Sequence, residues 1–171
     1  LMSKQEDLSG NFGDGQYFSN LFVQCIELEF SGGVLVWSEA DESEGRVFFA
    51  QGRPFLCSGD LFIQHRLGEV LVKLGLATLD DVELALRVQA SQEEDERLLL
   101  GELLMREAYV PEDGIEAALQ IQTKKRLFES FSIERGMWRG LWSNRNDIVK
   151  KGAVIEPWDV LVPALQARSS E

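Results

Sequence analysis

Apolar positions between residues 16 and 30, namely Phe18, Leu21, Phe22, Cys25 and Leu28, recur at three- and four-residue steps, the period of a helix that buries one face. Ser31, Gly32 and Gly33 end that pattern. The runs 34–38 and 46–50 are rich in Val, Trp and Phe and read as strands, and the acidic stretch 39–45 between them predicts an antiparallel hairpin with a solvated tip. A turn at Gln51, Gly52 and Arg53 leads into a third short strand over 54–58, and residues 8–12 add another at the start. The early helix is then expected on one face of a small meander.

After Gly59 the text changes to helix period and keeps it to about Glu134. Leu67, Val70, Leu71 and Leu74 form one stripe, and Val82, Ala85, Leu86 and Gln89 form a second. The same text then recurs. Gly68, Glu69, Val70 and Leu71 return as Gly101, Glu102, Leu103 and Leu104, while Val82, Ala85, Leu86 and Gln89 return as Ile115, Ala118, Leu119 and Gln122, at a constant offset of 33. Two copies of a helical hairpin follow, because one hairpin cannot bury both of its stripes and a neighbouring copy completes the core. Glu93, Glu94, Asp95 and Glu96 form a solvated linker between the copies.

Strand-like text resumes at 136–142, where Met137, Trp138, Leu141 and Trp142 are interspersed with Arg139 and glycines, and a last helix opens at Pro157 with Trp158, Val160, Leu161 and Leu165. The expected fold class is α+β. A small antiparallel sheet with a packed helix spans 8–60 and 136–168 as one discontinuous domain, a pair of helical hairpins is inserted over 61–134, and a strand and helix close the fold.

Charge narrows the function. With 17 Lys+Arg against 29 Asp+Glu the 171-residue chain carries −12, so its field repels phosphate backbones and anionic lipid, and neither nucleic acid nor a membrane is an expected partner. Without a signal-type leader or an apolar run long enough to span a bilayer, the chain reads as cytoplasmic. Leu1-Met2 reads as one residue ahead of a native start, which would make this a complete small protein. Residues 122–151 run against the general charge: eight basic side chains, including Lys124, Lys125, Arg126, Arg139 and Arg145, face three acids, and this segment also holds Trp138 and Trp142. Trp138, Arg139, Trp142 and Arg145 are the expected partner surface, tryptophan and arginine being favoured where proteins meet.

Catalytic chemistry finds no constellation. His65 has no nucleophile beside it, Cys25 and Cys57 stand in apolar text without a basic neighbour, and no phosphate-cradling glycine loop opens a helix. One histidine and two distant cysteines supply no metal ligand set, and no cofactor is expected.

The series Arg66-Leu67-Gly68, Gly75, Val82, Leu86 and Gln89 resembles the repeat in the N-terminal domain of type II secretion and pilus-assembly ATPases, the MshE-type domain. That resemblance implies a cyclic di-GMP site using Arg66, Gly68, Gly75 and Gly101; the second copy has Leu99 and Ala108 where the first has Arg66 and Gly75. A wider resemblance covers nearly the whole chain. Leu8-Ser9-Gly10, then residues 21–28, then Gly33-Val34-Leu35-Val36, then Gly45-Arg46-Val47-Phe48-Phe49 with Gly52, and at the end Phe128, Gly136, Trp138 and Trp142, are similar to the PATAN family of bacterial signalling domains. It implies a non-catalytic adaptor that binds a protein in signal transduction: a receiver domain, a small GTPase or its own copy as a homodimer. The expected function is therefore protein–protein interaction, with cyclic di-GMP sensing as the alternative.

Overall fold

The computed structural model of the chain describes residues 8–143 and 154–170. The fold is α+β. Strand β1 (Leu8–Phe12) is followed by helix α1 (Phe18–Glu27) and then by β2 (Gly32–Ser38), β3 (Ser43–Ala50) and β4 (Arg53–Ser58). Helices α2 (Leu67–Lys73), α3 (Leu79–Ser91), α4 (Leu100–Glu107) and α5 (Glu112–Ser130) come next, and β5 (Gly136–Trp142) and α6 (Trp158–Arg168) close the chain. No described helix is long and apolar enough to cross a membrane.

Contacts divide the described residues into two units. One runs up to Gln64 and resumes at Thr123; the other is His65–Gln122. The sequence pattern placed the insert at 61–134, and the difference has a plain cause at its far end. Helix α5 is continuous through the junction, so helix period persists, yet its last turns and the chain beyond put Leu127, Phe131 and Ile133 into the core of the sheet unit.

The sheet unit has the strand order β1-β5-β2-β3-β4, and every pairing is antiparallel. The late strand β5 thus lies between β1 and β2. Directly opposed residues share a face, and the register puts Phe12, Val34, Val36, Val47 and Cys57 on the face that also carries the core contributions of three helices: Phe18, Leu21, Phe22 and Cys25 from α1, Leu127 from α5, and Val160, Leu161 and Ala164 from α6. Phe22 and Phe131 meet edge-on at 5.4 Å, as do Phe18 and Phe131 at 5.1 Å. Helix α1 is shorter than the 16–30 stripe suggested. It stops at Glu27, Leu28 is exposed, and Glu29 turns the chain at a positive φ so that Phe30 re-enters the core.

The helical unit repeats its packing as well as its text. Its buried core pairs Val70 with Leu103, Leu71 with Leu104, Val82 with Ile115 and Ala85 with Ala118, each at the 33-residue offset. Leu74 and Leu86, read as stripe residues, are exposed instead. Thr78 caps α3: its hydroxyl oxygen accepts the Asp81 N–H at 3.2 Å, while the Asp81 carboxylate accepts the Thr78 hydroxyl at 2.6 Å and the Thr78 N–H at 2.8 Å, and these two bonds, the hydroxyl's first, hold the carboxyl below its usual range.

Candidate functional site

The residues expected to hold a dinucleotide have local roles in the helical unit. A Cβ on Gly68 would lie 2.5 Å from Cγ1 of Val82, and one on Gly101 would lie 3.1 Å from Cγ2 of Ile115, so each glycine lets the two helices of its own hairpin approach. Gly75 ends α2 at φ +70, with its N–H donating to the Val72 carbonyl and that of Leu76 donating to the Leu71 carbonyl, the two hydrogen bonds of a Schellman turn. Ala108 stands at the matching place in the second copy. Alanine resists a positive φ, so α4 runs one residue further and Tyr109 takes the left-handed conformation at φ 55.

The two repeat glutamines act reciprocally. Gln89 Nε2 donates to the Leu98 carbonyl at 2.8 Å and Gln122 Nε2 donates to the His65 carbonyl at 2.9 Å, and Leu98 and His65 are themselves 33 residues apart. Each copy therefore ties down the chain entering the first helix of the other, as a two-fold relation between hairpins requires. Arg66 is exposed at the N-terminus of α2, next to that tied carbonyl.

In the sheet unit the expected partner surface separates by strand alternation. Trp138 and Trp142 share the inner face of β5 with Gly140. Trp138 lies over Gly10, whose added Cβ would stand 2.7 Å from the indole Nε1, and Trp142 meets Phe30 edge-on at 4.7 Å. Both tryptophans are partly buried and pack against the core. Arg139 is exposed on the opposite, outer face; Arg145 lies outside the described residues.

That outer face is the feature the tryptophans concealed. Its register gives three rows across the strands: Asn11, Met137, Trp37 and Glu44; then Ser9, Arg139, Leu35, Arg46 and Ser58; then Leu141, Gly33, Phe48 and Leu56. Met137 and Leu141 are 56% and 49% exposed, while Leu35, Trp37 and Phe48 are half-buried against one another's strands. A shallow groove of about 480 Å³ runs over this face, lined by Leu35, Trp37, Met137, Arg139 and Glu44.

Family models, curated proteins and solved structures return no match to this chain.

A second concavity of about 610 Å³ opens elsewhere in the sheet unit, with Leu61, Phe62 and Ile133 beside Asp41, Asp60, Glu129 and Glu134. Among the described residues no group of three His, Cys, Asp or Glu is placed to hold a metal ion. Burial pushes both thiols, Cys25 and Cys57, up to about 12, which leaves them protonated and poor nucleophiles at neutral pH. The neighbouring Arg126 pulls Cys57 back only in part. That arginine is held as a clasp: Nε donates to the Gln64 carbonyl at 2.9 Å and an Nη donates to the Cys57 carbonyl at 2.9 Å. Lys124 pairs with Asp159 at 3.2 Å. Two of the cations that made the 122–151 segment look like a docking patch are thus engaged inside the unit.

Proposed function

We propose that the chain is a non-catalytic interaction module that works by docking another protein on the outer face of its sheet, in the bacterial signalling setting its PATAN-like text implies. One observation carries the reading. Among the described residues the helices that build the core lie on one face of the five-stranded sheet, and the other face carries Met137, Trp37, Leu35, Phe48 and Leu141 across three adjacent rows, with Arg139 and Arg46 flanking Leu35 in the middle one. Tryptophan, methionine and arginine are the side chains enriched where proteins meet, and an apolar surface of this extent on a water-facing sheet is a docking feature more than a folding one.

The test is capture of partners by the whole chain and by three variants. Met137→Glu and Arg139→Glu are expected to lose the bound protein, whereas Val162→Glu, at an exposed position on α6, keeps it. An unchanged set of bound proteins with the first two variants would reject the face. Calorimetric titration with cyclic di-GMP is expected to give no heat, because Gly68, Gly75, Gly101 and Gln122 are each accounted for by packing or capping; saturable heat lost in Arg66→Ala would establish the dinucleotide reading instead.

A further inference from the structure

The outer face carries charge in a pattern that selects its own partner. Glu44 and Arg46 lie two residues apart on β3, both exposed and both on the outer side, since Gly45 between them and Val47 beyond are buried. Among the described residues neither has an ion-pair partner. In the adjacent strand Trp37 lies opposite Glu44 and Leu35 opposite Arg46, and one strand further Met137 and Arg139 continue the same two rows.

We propose that this face binds the same face of a second copy, a deepening that rests on the docking role argued above. Let a second molecule lie face to face with the first, turned by a half-turn about an axis that crosses the strands between these two rows. Glu44 of each copy then stands opposite Arg46 of the other, Leu35 opposite Trp37, Met137 opposite Arg139, and Asn11 opposite Ser9. The apolar pairs fall on the central strand β2 and two equivalent ion pairs fall on its neighbour β3, the self-complementarity that an isologous interface demands. Facing sheets pack about 10 Å apart with their strands nearly aligned, a gap that an extended Glu and Arg bridge together.

Size and charge set the strength. Five strands roughly 4.8 Å apart, each about six residues at about 3.3 Å, make a face near 24 by 20 Å, so a pair of copies covers on the order of 1,000 Å². That is the lower limit for a specific interface. The two molecules each carry −12, but at physiological ionic strength repulsion beyond about 8 Å is screened, so the facing rows decide the outcome. The result is a dimer that forms in the micromolar range.

Sedimentation of the whole chain across micromolar concentrations tests this, with circular-dichroism melts to show that each variant is folded. The wild type is expected to pass from the 19.3 kDa chain to twice that mass. Glu44→Arg and Arg46→Glu each set like charges against one another twice and are expected to weaken association by roughly tenfold or more. The double exchange Glu44→Arg with Arg46→Glu is expected to restore it, which no unrelated partner surface would do. A wild type that stays monomeric while Met137→Glu still loses a captured protein overturns self-pairing and leaves the docking role standing; a monomer with no dependence on Met137 overturns both. Folded single variants that remain dimeric, or a folded double variant that does not recover, overturn the pairing of Glu44 with Arg46.

Discussion

At the scale of single residues, the glycines of the repeat separate by what surrounds them. Gly68→Ala drives a methyl to 2.5 Å from Cγ1 of Val82, and because α3 must move or Val82 must leave its rotamer, a loss of about 1–3 kcal/mol is expected in denaturant titration. Gly75→Ala meets open space and costs only its left-handed backbone, about 1 kcal/mol. The converse change is a gain. Tyr109 already holds a positive φ while 88% exposed, so Tyr109→Gly is expected to raise stability by roughly 1 kcal/mol in the same experiment. The two thiols predict a pH dependence. Their folded values, pushed up to about 12 from an ordinary 9.0, mean that only the unfolded chain ionises them between those limits. Stability from this source is full below pH 9 and falls as pH rises toward 12, so a melting temperature that drops in this window, and drops less in a Cys25→Ala variant, is the expected record. The identity of these residues was legible in the sequence; that Gly68 packs on Val82 was not, because helix period gives a face without saying which neighbour arrives there.

At the scale of elements, periodicity announced β2, β4 and β5 to within two residues, β3 three residues short at its start, and the four repeat helices as stripes without bounds, and the 33-residue offset announced their duplication. What the text could not supply was the phase of β5. Both of its faces are apolar, Trp138 and Trp142 on one and Met137 and Leu141 on the other, and only the pairing with Val34 and Val36 decides which side is inner. Reading tryptophan as an interface residue favoured the wrong side; bulk filling the space over Gly10 and against Phe30 was the stronger demand. The reciprocal glutamines were legible as a repeat but not as a bond, since their acceptors are backbone carbonyls of residues with no motif. Their exchange makes an element-scale prediction. A peptide of residues 65–98 contains Gln89 and both of the acceptor carbonyls but only one hairpin, so two such peptides are expected to associate in the manner of the intact unit, with helical signal that rises with concentration. In the intact chain Gln89→Ala removes the bond to the Leu98 carbonyl, a loss of about 1–2 kcal/mol expected in denaturant titration.

At the scale of the whole molecule, one helix is common to two cores. Glu112–Ser130 contributes Ile115 and Ala118 to the helical unit and Leu127 to the sheet unit, so neither core can melt without fraying the rod that the other uses. A single calorimetric transition is expected, and Leu127→Ala, at about 2–5 kcal/mol, should lower the midpoint of that whole transition rather than split off a sheet-only step. Arg126 is a clasp within the sheet unit: Arg126→Met keeps the stem but removes the bonds to the Gln64 carbonyl and to the part-buried Cys57 carbonyl, a loss of roughly 1–3 kcal/mol in chemical denaturation.

The order β1-β5-β2-β3-β4 also dictates a schedule of birth. As the nascent chain leaves the ribosome, β1 has no neighbour and the hairpin of β2 and β3 has a bare flank, because the strand that belongs between them is encoded beyond residue 135, after both helical hairpins. The sheet is left with a slot in its middle until translation is nearly done, and any messenger truncated before that point would release a polypeptide with two sticky, unmatched borders.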